Sequence, residues 1–118
     1  HMNKDQLMRM TPRPTQHFKD QMVTKGFSPT AVVETLRSPD RVYPAKADGR
    51  YAGQWRITGN GMCIMVDPDL GRNEMVLRTI VVDGKNTPPR EDQMNTAAGR
   101  AYAAKYAQGL NRDGTPRG

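Results

Sequence analysis

The 118-residue sequence is poor in the features that mark disulfide-stapled, metal-bound or membrane-embedded proteins. Cys63 is its one cysteine, which excludes an internal disulfide and a zinc site built on cysteines. No run approaches the ~18 apolar residues of a membrane-spanning helix, and no charged-then-apolar signal peptide opens the chain. We therefore expect a cytoplasmic protein that has no membrane contact, no bound metal and no cofactor.

Aromatic and apolar residues are also scarce, since 6% of the chain is aromatic and 36% is hydrophobic. A core built from so little material must be compact. The polar ends carry proline or glycine, which is typical of loose termini. We predict a flexible arm over residues 1–14, a single domain over 15–110 and a flexible tail over 111–118. The opening His1-Met2 is typical of a cloning remnant, which leaves His17 as the one native histidine.

Basic residues outnumber acidic ones by 18 to 12, a formal net charge of +6. Their distribution is uneven. Residues 49–66 contain Arg50 and Arg56 and no acid, whereas the acids gather at 67–74 and 91–92. A one-sided positive field of this kind is typical of proteins that bind nucleic acid or another polyanion.

Two helices are predicted near the start of the chain. Thr15 can cap a helix that ends at Gly26, and Ser28-Pro29 is a typical start for a second helix that ends at residues 38–39. From residue 41 the hydrophobic period changes to two, which predicts strands over residues 41–43, 50–57, 62–66 and 75–82. Gly59-Asn60-Gly61 is a hairpin turn, and a final helix is predicted from about residue 90 to 108. The fold class is therefore α+β: two N-terminal helices, an antiparallel β-meander of about four strands, and a C-terminal helix.

Three side-chain types offer chemistry or contact surface. Histidine is the side chain type whose ordinary pKa lies near neutrality, so His17 is a candidate for moving protons. Tyr51 and Trp55 share a face of the predicted strand 50–57, where they form either a base-stacking platform or, for Trp55, part of the core. Cys63 lies in an apolar strand, which indicates a buried hydrophobe rather than a nucleophile. The segment that starts at Asp67 is not a calcium loop. Its sixth and twelfth positions are Arg72 and Arg78, where a calcium loop has glycine and glutamate.

The predicted first helix and the loop after it carry a spaced motif, His17-x-x-x-Gln21-x-x-x-Lys25-Gly26-Phe27-Ser28-Pro29. It resembles the His-x-x-x-Arg-x-x-x-Arg-Gly opening of a small family of uncharacterised bacterial domains, grouped with RelE-like and barnase-like toxin folds. The resemblance covers roughly residues 15–83. Gln21 and Lys25 stand where arginines are usual, so one positive charge and the bidentate guanidinium geometry are lost.

This resemblance implies a RelE-like, RNA-directed toxin domain, and RNA rather than DNA as the nucleic acid. The implied activity is metal-independent endoribonuclease cleavage, which needs a base, an acid and cations around the phosphate. In that reading His17, Arg56 and Arg78 are the catalytic residues, with Arg56 and Arg78 on strands that could be neighbours. The nucleic-acid-binding residues are then Lys25, Arg41, Arg50, Tyr51 and Arg56, and Tyr43 is a further proton donor or stacking group.

A second interpretation stays open. The chain could be a non-catalytic module that binds nucleic acid or a host protein without cutting, such as a viral (phage) or mobile-element inhibitor. The replaced arginines favour this binder, whereas His17 favours the enzyme. In either case a protein antitoxin or a host protein is an expected partner.

Overall fold

A computed structural model describes residues 2–83, 91–110 and 114–116 of the chain. The chain divides into two compact units, residues 1–83 and 84–118. The first unit contains the sheet, three α-helices and every predicted site residue. The α+β class is confirmed, with two differences of arrangement at the amino terminus and in the third strand.

The amino-terminal residues form regular structure, so the prediction of a flexible arm is wrong for residues 4–14. Helix α1 spans Lys4–Met8 and strand β1 spans Thr11–Pro14. Asn3 and Gln6 cap α1 reciprocally, each side chain accepting a hydrogen bond from the other's backbone N–H. Leu7 is fully buried in the core and anchors this short helix. One buried residue in a five-residue helix leaves no periodic signal in the sequence.

The two predicted helices are present. Helix α2 spans Gln16–Thr24 and helix α3 spans Pro29–Arg37. Each begins at a hydroxyl cap: the Thr15 side chain accepts from the Phe18 N–H, and the Ser28 side chain accepts from the Ala31 N–H.

Strands β2 (Arg41–Pro44), β3 (Trp55–Gly59), β4 (Met62–Asp69) and β5 (Glu74–Val82) form the predicted antiparallel meander. The sheet has five strands because β1 adds to its far side, parallel to β5, in the order β1-β5-β4-β3-β2. The hairpin between β3 and β4 turns through Asn60 and Gly61, both at positive φ.

The third strand begins later than the sequence predicts, at Trp55 rather than Arg50. Residues 48–53 are turns, and Gly53 adopts a φ of +90° that an extended strand does not allow. Tyr51 therefore lies in a turn and does not share a strand face with Trp55. The half-buried Trp55 packs against the core cluster.

The two faces of the sheet differ in chemistry. On the helix face, Ile57, Ile64 and Ile80 are paired across three strands and fully buried in the same core cluster as Phe18 of α2 and Val32 of α3. The alternate residues point to the opposite side, which we call the polar face. It carries the candidate site.

Two irregularities shape the sheet around β5. A β-bulge interrupts the β4–β5 ladder: Met65 pairs with Thr79 and Val66 with Leu77, so Arg78 is the extra residue. Beside the edge strand β1, the Thr11 N–H donates to the carbonyl of Asn73, the residue before β5, and the Thr15 N–H donates to the carbonyl of Leu77 in β5, at 3.1 Å each. Pro12 and Pro14 occupy the alternate positions, where an N–H would point away from the sheet. The outer edge of β1 thus lacks those two donors.

The second unit contains a 3-10 helix over Glu91–Asn95 and helix α4 over Ala97–Ala107. They occupy most of the range predicted as one final helix. Thr96 caps α4 through the Gly99 N–H at 2.9 Å, and Gly109 takes the positive φ that ends it. Of the predicted tail, residues 111–113 and 117–118 lie outside the described part, as does residue 90.

Candidate nucleic-acid interface

A single cross-strand row on the polar face organises the site. Tyr43 of β2 pairs with Arg56 of β3, Arg56 with Met65 of β4, and Met65 with Thr79 of β5. Adjacent strands lie about 4.8 Å apart, so the row spans roughly 14 Å from Tyr43 to Thr79. His17 lies at its end, with Nε2 3.3 Å from Oγ1 of Thr79.

Arginines and tyrosines stack on one another at the β2–β3 end of the row. The Arg41 guanidinium lies 4.5 Å from the centre of the Tyr43 ring. The guanidinium groups of Arg50 and Arg56 lie 5.5 and 5.4 Å from the centre of the Tyr51 ring. We call these five residues the arginine–tyrosine cluster. Such contacts fix the direction of a guanidinium while leaving N–H donors on its edge.

A tight turn brings Tyr51 to Arg56. The Gln54 N–H donates to the Tyr51 carbonyl at 3.0 Å, and the Ala45 N–H donates to the Gln54 carbonyl at 2.9 Å. The backbone thereby folds back ahead of β3, where Gly53 supplies the positive φ. Tyr51 thus lies beside Arg56 through a turn and not through the predicted strand.

A chain of polar side chains continues from the cluster across the sheet. Arg56 donates through Nη1 to Oε1 of Gln54 at 3.1 Å, and Gln54 donates through Nε2 to Oδ2 of Asp67 at 3.5 Å. Arg78 donates through Nε to the same Asp67 oxygen at 2.7 Å, which is a salt bridge. Arg56 and Arg78 are therefore linked through Asp67, although β4 separates their strands and they are not the neighbours that we expected.

Helix α2 positions His17 beside β5. The Thr15 hydroxyl donates to the carbonyls of Leu77 at 3.1 Å and Arg78 at 3.3 Å, and accepts from the Phe18 N–H at 3.1 Å. Thr15 thus ties the start of the helix to the bulge, two residues before His17. The His17 side chain is exposed, and its Nε2 atom can accept from or donate to the Thr79 hydroxyl according to the tautomer.

Burial perturbs two groups on the polar face. It is the main cause that raises the pKa of the Tyr43 phenol, with further raising by Cys63 and Asp83 and an opposing effect of Arg41 and Arg56. Burial likewise raises the pKa of the Cys63 thiol to about 11, against a smaller lowering effect of Arg56. Tyr43 thus keeps its proton at neutral pH and can donate a hydrogen bond, and Cys63 is confirmed as a buried hydrophobe.

The predicted site residues fall into three places. Arg41, Arg50, Tyr51 and Arg56 come together in the arginine–tyrosine cluster. His17 and Arg78 lie at the β5 end of the polar face. Lys25 lies apart, exposed at the carboxyl end of α2 in the helix layer. No sequence pattern marked Gln54, Asp67 or Thr79, because their contacts depend on the register between strands.

Neither a metal-ion cluster nor a membrane-length apolar helix occurs in the described ranges. No group of three or more His, Cys, Asp or Glu side chains there could hold a metal ion. No helix among these residues is long and apolar enough to cross a bilayer.

Comparison with known proteins places the fold. No protein-family model matches the sequence, and no curated protein is significantly similar to it. Among solved structures, a match is found in the toxin–antitoxin complex RelBE2 from Mycobacterium tuberculosis. The superposition has a TM-score of 0.50 at 20% sequence identity and covers 62% of this chain and 96% of the other. At that identity the match shows the fold alone, and the fold is RelE-like.

Proposed function

We propose that this chain is an RNA-directed domain of the RelE-like toxin type that binds single-stranded RNA on the polar face of its sheet. The observation that carries the proposal is the arginine–tyrosine cluster, where three guanidinium groups are stacked on two phenol rings. Guanidinium groups bind phosphate oxygens through fixed pairs of N–H donors, and aromatic rings stack on unpaired bases.

Two charges of the cluster, those of Arg41 and Arg56, are available for phosphate. No described carboxylate lies within 4.0 Å of the Arg41 or Arg56 guanidinium. Arg56 instead donates to a neutral amide, Gln54. A phosphate that approaches these two arginines therefore replaces water rather than an internal ion pair, which favours binding.

The finer form of the proposal is metal-independent cleavage of the RNA. His17 would accept the 2′-hydroxyl proton or protonate the leaving oxygen, because its imidazole is exposed and an imidazole can both accept and donate a proton. Arg56 would stabilise the charge that develops on the phosphate. Tyr43 would act as a hydrogen-bond donor, because its raised pKa keeps the phenol protonated.

One observation favours the non-catalytic alternative, a module that binds RNA or a host protein without cutting. Asp67 neutralises Arg78 through a salt bridge of 2.7 Å. In addition, His17 contacts Thr79, whose backbone lies two strand spacings, roughly 10 Å, from that of Arg56. A single phosphate would be reached by both His17 and Arg56 only through their extended side chains. Either form would act in the cytoplasm and have a protein antitoxin or a host protein as its partner.

The deciding experiment follows a fluorescein-labelled single-stranded RNA with EDTA present, by anisotropy for binding and by denaturing gel for cleavage. We expect binding of the wild type, and about tenfold weaker binding of Arg56→Gln, which is ~1.4 kcal/mol. Arg9→Gln is the matched control, because Arg9 is exposed at the end of α1 and carries the same charge. Cleavage that His17→Ala abolishes supports the enzyme.

Intact RNA with retained binding supports the binder. Equal affinity of the Arg56 and Arg9 variants would show that RNA does not contact the cluster. No binding of RNA even at low salt would reject both RNA-directed forms and leave a protein as the partner. A DNA strand of the same sequence tests the RNA preference, since only RNA offers 2′-hydroxyl groups.

A further inference from the structure

The side chain of Gln54 lies between a cation and an anion of the polar face. Gln54 ends the turn ahead of β3, where its N–H donates to the Tyr51 carbonyl and its own carbonyl accepts from the Ala45 N–H. The half-buried amide accepts from Nη1 of Arg56 through Oε1 at 3.1 Å and reaches Oδ2 of Asp67 through Nε2 at 3.5 Å. The backbone of the turn thus fixes where this amide stands.

The two neighbours of the amide select the same orientation of it. A guanidinium only donates hydrogen bonds, and an ionised carboxylate only accepts them. The amide oxygen therefore has to face Arg56 and the amide nitrogen has to face Asp67, which is the arrangement in the structure. The reverse orientation would bring donors together at Arg56 and acceptors together at Asp67, so the amide is held one way round.

Tyr51 and Gln54 constrain different motions of the Arg56 guanidinium. Its central carbon lies 5.4 Å from the centre of the Tyr51 ring, which holds the group against the ring. The hydrogen bond to Gln54 fixes how the group is turned at that place. A guanidinium has five N–H donors and this bond uses one of them, so donors remain for a phosphate.

A neutral acceptor serves this position better than a charged or an apolar side chain. A carboxylate would form an ion pair with Arg56 that competes with phosphate, and it would also place a second negative charge beside Asp67. An apolar side chain would leave the guanidinium free to adopt other rotamers. The amide of Gln54 holds the guanidinium and leaves its charge available.

We infer that Gln54 is a positioning residue that orients the Arg56 guanidinium for RNA phosphate. Its effect on binding passes through Arg56 and needs no contact between Gln54 and the RNA. Such preorganisation raises affinity, because the free protein has already lost the rotamer freedom that binding would otherwise remove. This role rests on the proposed binding of RNA to the polar face.

The test is a double-mutant cycle between Gln54→Leu and Arg56→Gln in the full chain, read by anisotropy of the labelled single-stranded RNA with EDTA present. We expect Gln54→Leu to weaken binding about fivefold, because Arg56 loses its orienting hydrogen bond. In the Arg56→Gln background it should cause no further loss. Gln54→Glu should weaken binding more than Gln54→Leu, since its charge pairs with Arg56 and repels phosphate.

The matched control is Gln16→Leu. Gln16 is exposed on α2, and its side chain likewise donates to an aspartate, Asp20, at 3.0 Å. We expect this variant to bind RNA as the wild type does. Unfolding in urea shows whether each variant is folded, and Gln54→Ala takes the place of Gln54→Leu in the cycle if the leucine variant is not.

Nitrogen-15 NMR of the guanidinium groups tests the orientation without RNA. A guanidinium that is held by a hydrogen bond rotates slowly about its Cζ–Nη bonds and gives separate Nη signals. We expect separate signals for Arg56 in the wild type and averaged signals in Gln54→Leu.

Four results would overturn the inference: wild-type affinity of Gln54→Leu, an equal loss from it in the Arg56→Gln background, wild-type affinity of Gln54→Glu, or averaged Arg56 signals in the wild type. A wild type that binds no RNA rejects the proposed function and this role together. RNA binding that is insensitive to Gln54→Leu rejects this role alone.

Discussion

Replacement of Asp67 by asparagine tests the electrostatics of the polar face with a minimal change of shape. Asp67 is the carboxylate that holds Arg78 at 2.7 Å and contacts Gln54, the hydrogen-bond partner of Arg56. The asparagine keeps an oxygen that can accept from Arg78 and removes one negative charge. If RNA phosphates bind this face, that charge opposes them, and its loss strengthens binding.

The size of the gain follows from Coulomb's law. A unit charge about 8 Å from a phosphate contributes roughly 0.5 kcal/mol at the dielectric constant of water, which is about a twofold change in affinity. Arg78, released from its ion pair, can contact one more phosphate, which makes the slope of log K against log salt more negative by about 0.7. The salt bridge itself is substantially exposed, with 54% and 31% of the two side chains accessible, so its loss costs less than about 1 kcal/mol of stability.

The assay is anisotropy of a labelled single-stranded RNA between 50 and 200 mM salt, with urea unfolding in parallel. Asp20→Asn is the matched control, because Asp20 lies on α2 in the helix layer, is exposed and has the same charge. We expect at least twofold tighter binding and a steeper slope for Asp67→Asn alone. Equal effects of both variants, or weaker binding of Asp67→Asn, would refute the placement of RNA on the polar face.

Three further predictions concern stability. Leu7→Ala should lower the free energy of unfolding in urea by about 3 kcal/mol, because it leaves a cavity in the core. Lys4→Ala, at an exposed position of the same helix, should change it by less than ~0.5 kcal/mol. Equal effects of the two variants would contradict the packing of α1 against the core. Folding raises the pKa of the Cys63 thiol from 9.0 to about 11, so the unfolded chain ionises first and stability is lost as the pH rises above about 9. We expect the loss of stability between pH 9 and 10 to be ~1 kcal/mol smaller in Cys63→Ala than in the wild type. An equal loss in both would contradict the raised pKa. The buried Thr35 hydroxyl donates to the Ala31 carbonyl at 2.8 Å and accepts from Nδ2 of Asn60 at 2.9 Å. Thr35→Val and Asn60→Gly should each cost about 1 kcal/mol and be non-additive in a double-mutant cycle, whereas strict additivity would show that the bond is not coupled.

The sequence predicted those elements whose signals are local. Thr15 and Ser28 mark the starts of α2 and α3 through caps that need only the next three residues. Asn60 and Gly61 mark the hairpin because few residues adopt positive φ at both positions. Helix α1 has a local cap in Asn3 and Gln6 but is too short to show a hydrophobic period. Strand β1 depends on its pairing with β5, whose residues lie more than sixty positions further along the chain.

The arginines and tyrosines that lie together in the structure were named from the sequence, whereas their arrangement was not predictable from it. Alternation over residues 50–57 placed Tyr51 and Arg56 on opposite faces of one strand, whereas a turn with Gly53 at positive φ brings the Tyr51 ring to the Arg56 guanidinium. The link between Arg56 and Arg78 runs through Asp67, which sequence reasoning assigned only to a turn. Its position became apparent only when the strand register was known.

The bulge at Arg78 bears on how the sheet could gain or lose a residue. Thr79 pairs with Met65 and Leu77 pairs with Val66, so the partners on β4 are consecutive and only β5 has an additional residue. Deletion of Arg78 would therefore close the ladder with every other pair intact and every other side chain on its own face. In an alignment such a deletion would look like trivial length variation. In the folded chain it would leave Asp67 as an uncompensated negative charge beside the arginine–tyrosine cluster.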